Sequence, residues 1–251
     1  MRLVQAEILK LVRRRGTMIW CALLTIGSVL IADIVLLSLH AANASAHGPA
    51  GGAENLKNLV FLVGGLGNVA AILIGSAAGS QDVSAGVFRD LVVTGRPRGT
   101  LFNVRVPGAL AVFLPMLAVA YGIAVGGAYL FSGSLPQPTG SDVAHFAIYL
   151  AAITSVDIVL AIGLAAFASS RVVVGVLIAW NAIVSHLLIS FHILGRARAY
   201  IDVAAAQHFL PSSADQGDRI AMSSGKALVV LLLWTAVFMA AGRFWTSRRD
   251  A

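Results

Sequence analysis

Six long apolar runs, at 17–40, 58–80, 106–131, 143–170, 172–194 and 226–245, leave this chain little choice of fold. A helix needs about 20 predominantly apolar residues to cross the hydrocarbon core of a bilayer, and each run reaches that length. No water is available there to satisfy backbone amides and carbonyls, so each run is expected to form a helix that bonds within itself. Charge is scarce as well: 12% of the 251 residues, against 58% hydrophobic, where a soluble domain carries roughly 25% charged residues. The expected fold class is an all-α integral membrane protein with six transmembrane helices. The pieces outside the runs are short, the longest being 81–105 and 195–225, so 1–251 reads as a single transmembrane domain with no sizeable soluble part. Only Arg171 separates the fourth and fifth runs, which implies a tight turn around 169–172.

The basic residues orient the bundle, because Lys and Arg are retained on the cytoplasmic side. With the N-terminus inside, thirteen of the 18 Lys and Arg residues fall on cytoplasmic segments, and Lys57, Arg196, Arg198, Arg219 and Lys226 fall outside. Both termini are then cytoplasmic. The net charge of +7 expresses this bias and an attraction to anionic lipid headgroups; with no soluble basic domain to carry it, a nucleic-acid partner is not expected. Ala44-Ser45-Ala46 after the first run imitates a signal-peptide cleavage site, but an h-region runs about 7–15 residues. This run is longer and contains Asp33, so it reads as an uncleaved first crossing. Cys21 is the only cysteine; it can form no internal disulfide and reads as a small apolar packing residue.

Ahead of the first run, 1–16 has amphipathic spacing. Val4, Ile8, Leu11 and Val12 share one helical face, with Arg2, Glu7, Lys10, Arg13 and Arg14 on the other. Glu7 and Lys10 stand at i, i+3, placed for an ion pair. Such a helix is expected to lie in the inner membrane interface, its long basic side chains reaching the headgroups, with Trp20 and Trp245 as interfacial anchors. A plain orientation signal with no partner is the competing reading of these residues.

The segment 81–105 is more informative. Gln81-Asp82-Val83-Ser84-Ala85-Gly86-Val87-Phe88-Arg89-Asp90-Leu91 sets an acid where the second helix leaves the bilayer, a glycine where the backbone can bend, and then Phe88 and Leu91 among charges. Gly95-Arg96-Pro97-Arg98-Gly99 ends the segment. An ordinary loop has no reason to hold apolar side chains between charges on the cytoplasmic surface, so this pattern suits docking onto another protein.

These residues, from Asp82 through Gly86-Val87-Phe88-Arg89, Leu91, Gly95-Arg96-Pro97-Arg98 and Leu101 to Arg105, resemble the segment between helices two and three in permease subunits of ABC-2 type transporters. The likeness extends to the N-terminal amphipathic helix, the six crossings and the long outer loop before the last crossing, where His208-Phe209-Leu210-Pro211-Ser212-Ser213-Ala214 is similar to a Leu-Pro-small stretch of the family. The resemblance implies a permease subunit of a bacterial inner-membrane exporter of lipophilic or amphiphilic substrates. It implies a short cytoplasmic coupling helix carrying Asp82, Gly86, Phe88, Arg89, Leu91, Arg96 and Arg98. It also implies two partners: a separately encoded ABC ATPase, and a second permease copy or a paralogue completing a homo- or heterodimer. The chain has no G-x-x-x-x-G-K-[ST] loop to cradle phosphates, so ATP and Mg would bind the ATPase, no cofactor is expected on this chain, and it is not expected to be an enzyme.

Polar groups inside the runs form a second set of candidates, because an acid at the centre of a membrane helix costs about 2.5–3.5 kcal/mol on the insertion scale. At about 1.5 Å per residue, Asp33, Asp157 and His186 lie at similar depths, roughly 20–24 Å from the inner ends of their helices, and could meet. They could line a transport path or relay protons; alternatively Asn68, Asn181 or His186 satisfies the acids as glue between helices. Gly75-x-x-x-Gly79 and Gly122-x-x-x-Gly126 offer close helix contacts, expected within one subunit, with the seam of a permease dimer as the alternative. The six histidines show no ligand spacing for a metal. In 195–225, residues 199–210 can form a helix with Tyr200, Val203 and Gln207 in line, broken at Pro211; the family resemblance implies a pair of short helices here that dip into the outer leaflet as a lid including Tyr200, Phe209 and Pro211, and a simple surface loop is the alternative. Two other functional classes stay open. One is a proton-coupled secondary transporter using Asp33, Asp157 and His186. The other is a membrane-embedded enzyme, for which no H-E-x-x-H or G-x-S-x-G is present.

Overall fold

A computed structural model describes residues 2–84, 97–211, 214 and 220–248, without the side chains of 81–84. All regular structure among them is helical: α1 (Arg2–Val12), α2 (Arg15–Ala42), α3 (Ala53–Ser84), α4 (Arg98–Asn103), α5 (Arg105–Leu130), α6 (Gly140–Leu164), α7 (Ser170–Ser190), a 3-10 stretch (His192–Tyr200), α8 (Asp202–Gln207) and α9 (Ser224–Arg248). Six helices, α2, α3, α4 with α5, α6, α7 and α9, are long and apolar enough to cross a membrane. The chain is thus an all-α, multi-pass membrane protein.

Local chemistry explains most helix ends. Thr139 accepts a hydrogen bond from the Asp142 amide (3.1 Å) and donates its hydroxyl to the Asp142 carboxylate (2.8 Å), a reciprocal cap that starts α6. At the start of α3, Gly52 adopts φ +93°, open to glycine at little cost, and the amides of Gly51 and Gly52 donate to the carbonyls of Phe131 and Ala128 at the end of α5. Glu54 and Lys57 pair in the polar first turn of α3, so that helix begins five residues ahead of its apolar run. The turn between α6 and α7 lies at 165–169 rather than around 169–172. Ala165, Ala166 and Phe167 are apolar although they belong to a turn, so hydropathy does not mark it.

Packing centres on α3 and α6. A Cβ on Gly75 would lie 2.7 Å from the Ile158 carbonyl oxygen and 2.8 Å from the Ala161 Cβ; one on Gly79 would lie 2.6 Å from the Ala165 Cβ. Both glycines let the two backbones touch. Gly163 and Gly242 nest together where α6 meets α9. One core cluster joins α1, α2, α3, α5 and α6 around Leu56, Ile74, Phe113 and Ile158; the other joins α6, α7, α8 and α9 with Ile72 of α3, around Leu160, Leu177 and Val230. Outward faces of α2, α7 and α9 carry Ile19, Ile31, Val172, Ile183, Val229 and Leu232, as suits contact with lipid. The second glycine motif departs from expectation: Gly122 and Gly126 face open space, with no atom within 4 Å of an added Cβ. On α5 the residue that packs closely is Gly108, which receives Glu7 of α1.

Glu7 is accordingly buried, while Val12 is exposed. The docked face of α1 is Val4, Glu7, Ile8 and Leu11 rather than the purely apolar set, because the Glu7 stem fills the space above Gly108 and Lys10 neutralises its carboxylate. Cys21 is buried, its thiol 3.5 Å from the Ala70 carbonyl oxygen.

Replacing Gly75 or Gly79 with Ala is expected to destabilise the purified protein by about 1–3 kcal/mol through overpacking. Gly126→Ala, on the open face, should be neutral or stabilising by up to about 1 kcal/mol through helix propensity. Thermal unfolding in detergent measures both; equal midpoints for all three variants would place the seam elsewhere.

Candidate functional site: a polar cavity behind a π turn

Midway along α7 the chain makes a π turn at Trp180–Val184, an insertion that re-aims side chains and recurs at functional sites. Its first two residues each hold a buried carboxylate from another element. The Trp180 indole donates to Asp202 Oδ1 (3.0 Å), and the Asn181 amide donates to Asp157 Oδ1 (2.9 Å) and to the Leu177 carbonyl (3.1 Å). Asp157 on α6 and Asp202 at the start of α8 are both 0% exposed. Four buried oxygens have no hydrogen-bond partner: Oδ2 of Asp157, Oδ2 of Asp202, and Oδ1 of Asn181 and of Asn68.

Beside them lies a cavity of about 270 Å³ between α3, α6, α7 and α8. Phe61, Ile72, Tyr149, Ile178 and Val203 form its apolar wall, and Asn68, Asn181, His186 and Gln207 supply its polar groups. Drug-sized pockets run about 300–1,000 Å³, so this space suits a headgroup or one end of a longer molecule. Burial pushes the Asp202 carboxyl above its ordinary value, while the Trp180 N–H and the amides of Val203 and Asp202 pull it part of the way back.

Of the two readings of Asp33, Asp157 and His186, the structure favours helix-to-helix contact for Asp157, and the three do not meet. Asp33 stands on α2 with its carboxylate against the backbone of Gly127 on α5 and lines no part of the cavity. Similar depth does not bring it near the others, because α2 packs on α3 and α5, away from α7. Asp157 takes Asn181 as its partner rather than His186, which lines the cavity with the Ser185 hydroxyl 3.4 Å from its Nδ1.

Of the lid residues, Tyr200 is exposed with the Lys226 ammonium 4.8 Å from its ring centre, and its carbonyl accepts from Trp234 Nε1 (2.9 Å). Phe209 lies edge-on to His208, and Pro211 is buried. The helix expected over 199–210 is shorter: 199–200 close the 3-10 segment, Ile201 is extended, and α8 runs only over Asp202–Gln207. Tyr200 therefore points outward while Val203 and Gln207 reach the cavity. Asp142, His145 and His208 border a second, outer cavity of about 250 Å³; no three His, Cys, Asp or Glu among the described residues are grouped to hold a metal ion.

Of the coupling residues, Gly86, Phe88, Arg89, Leu91 and Arg96 lie outside the described residues, as does the Asp82 side chain. Arg98 opens α4 and donates to the Ser247 carbonyl at the end of α9 (3.3 Å). Arg105 is buried and donates to the Gly79 carbonyl of α3 (2.8 Å). Arg13 is exposed and Arg14 half-buried in the turn between α1 and α2. Sequence reasoning missed Asp202 and Trp180. Their signals were an acid inside the apolar stretch Ile201-Asp202-Val203 and two adjacent polar-tipped residues, Trp180-Asn181, in the middle of a span.

No protein-family model matches the chain, and no curated protein matches it.

Asp202 binds its proton more tightly in the folded chain than in the unfolded one, so stability falls as pH rises from the ordinary carboxylate range through the raised native value. Asp202→Asn keeps an acceptor for Trp180 and removes that loss. Its unfolding midpoint is expected to change less between pH 4 and 8 than that of the parent, measured in the same detergent; identical pH profiles would show Asp202 to be readily ionised.

Proposed function

We propose that this chain is the membrane-spanning permease subunit of an ATP-driven ABC transporter, exporting a lipophilic or amphiphilic substrate with a separately encoded ATPase. The observation that best supports this reading is the course of α3. It is one continuous helix of 32 residues, about 48 Å long at 1.5 Å per residue. Phe61, Asn68 and Ile72 on it line the cavity, and its far end leads directly into the segment 85–96, which resembles the family's coupling helix. A push at that segment reaches the cavity wall through one rigid element.

The ends around this segment are braced. Arg105 ties α5 to α3, Arg98 ties α4 to α9, and Glu7 seats α1 on α5. In this reading both termini face the cytoplasm of a bacterial cell, and α1 lies along the inner interface beside the docked ATPase. ATP binding closes two ATPase subunits beneath a permease dimer, and the displacement rocks α3 with the helices packed on it, changing which side the cavity faces. Val203 and Gln207 of α8 border the cavity, on its outer side in this orientation. The separation of Asp33 from Asp157 and His186 counts against a proton relay through all three.

Phe88→Asp combined with Arg89→Glu is expected to abolish co-isolation of the ATPase and ATP-dependent transport in vesicles, while the six crossings still insert. Normal ATPase binding and transport by the double variant would overturn the assignment of the coupling segment.

A further inference from the structure

The polar groups around the cavity are unbalanced in one direction. Four buried oxygens lack a donor: Asp157 Oδ2, Asp202 Oδ2, Asn181 Oδ1 and Asn68 Oδ1. The Asn181 orientation follows from its contacts, since its amide nitrogen donates to both Asp157 Oδ1 and the Leu177 carbonyl; turning it over would set oxygen against oxygen. Its carbonyl oxygen is what remains to offer. Each carboxylate receives a single side-chain donor, from Asn181 or from Trp180.

Among the described residues the one basic side chain lining the cavity is the His186 imidazole. No Lys or Arg lines the cavity, and the ion pairs among the described residues, Lys10 with Glu7 and Lys57 with Glu54, lie near helix ends. Buried charges are normally paired, because their lost hydration must be replaced. A cavity lined by Asn68, Asn181 and an aromatic wall of Phe61 and Tyr149, with two acids buried behind the lining rather than in it, fits a ligand that brings both donors and positive charge. The aromatic faces favour the same sign of charge.

We propose that this cavity binds the protonated amine of a cationic amphiphile, with Asn181 and Asn68 accepting its N–H groups and the field of Asp157 and Asp202 balancing its charge. This rests on the permease reading, in which the cavity is the substrate site, and it narrows the substrate class. A volume of about 270 Å³ holds an ammonium group and a short apolar stem, with the rest of the ligand extending out of the cavity.

The test uses the full-length chain, purified without any ATPase in nanodiscs of zwitterionic lipid, titrated with decylamine, decanol and decanoate at pH 8. Decylamine is expected to bind at least about tenfold more tightly than the other two, a difference of about 1.4 kcal/mol. Asp157→Asn and Asp202→Asn should each reduce this preference to about threefold or less, an energy change under about 1 kcal/mol remaining, while decanol binding is kept. Asn68→Leu, which leaves both acids and their donors in place, should weaken decylamine alone, and Asp33→Asn should change nothing. Equal binding of amine and alcohol by the parent chain would overturn the proposal and point to carboxyl groups held neutral by their own protons. So would a preference that survives in both Asp variants, or one that Asp33→Asn removes equally. Because no ATPase is present, failure here leaves the coupling reading intact, and failure of the co-isolation experiment leaves the amine preference intact.

Discussion

The contact on which the rest of this structure depends is the backbone seam between α3 and α6. Lipid tails are as apolar as leucine side chains, so helices in a bilayer gain little by hiding apolar surface from one another and associate through close packing and hydrogen bonds. Gly75 and Gly79 supply that closeness, letting the carbonyls of Ile158 and Ile162 approach to distances that any Cβ would block. Asp157 immediately precedes Ile158. Its complete burial follows from the same seam, which leaves the acid no route to water and one neighbouring donor, on α7.

That donor comes from a departure from regular helix. The π turn at Trp180–Val184 sets two adjacent side chains to work on different partners, Trp180 on α8 and Asn181 on α6. In a bilayer, non-helical backbone is tolerated only where protein or a water-filled cavity covers it. The short helix α8 meets that condition, with Val203, Ala204, Ala205 and Ala206 all buried; the 3-10 stretch before it is mostly exposed, and from it Arg198 returns to cap the Ile189 carbonyl at 3.0 Å. The polar cavity, the π turn and the short buried helix are therefore one arrangement, each part needing the others to satisfy its polar groups.

Apolar run length made the six crossings legible in the sequence, because the bilayer imposes it without regard to tertiary contacts. The i, i+3 spacing of Glu7 and Lys10 likewise showed their pairing, a local matter. Partners around the bundle were legible only in part: Asn181 is among the candidates the sequence offers for Asp157, and the structure pairs the two. Depth along a helix can be counted from sequence, but azimuth cannot, so Asp33 was grouped with Asp157 although α2 faces away. Glu7 was assigned to a polar face because nothing local shows that Gly108, a hundred residues later, leaves room for it. Gly75-x-x-x-Gly79 and Gly122-x-x-x-Gly126 are the same pattern, yet one is filled and the other open; the difference lies in what stands opposite. Asp202 escaped notice because its partner, Trp180, reads in isolation as an apolar residue of a span.

The position of the cavity follows from where packing is tight. Its wall draws on α3 and α6, whose backbones are locked at Gly75 and Gly79, and on α7 and α8, which belong to the second core cluster. Parting α3 from α6 would open voids along a glycine seam and forfeit its many small dispersion contacts. Parting α7 and α8 from α3 meets side chains and a cavity instead, and α7 already turns much of its surface outward. The low-cost motion of this bundle is therefore a hinge of α7 and α8 against the α3–α6 pair. Asn181 reaches across that boundary to Asp157 and is a polar link between the two groups of helices.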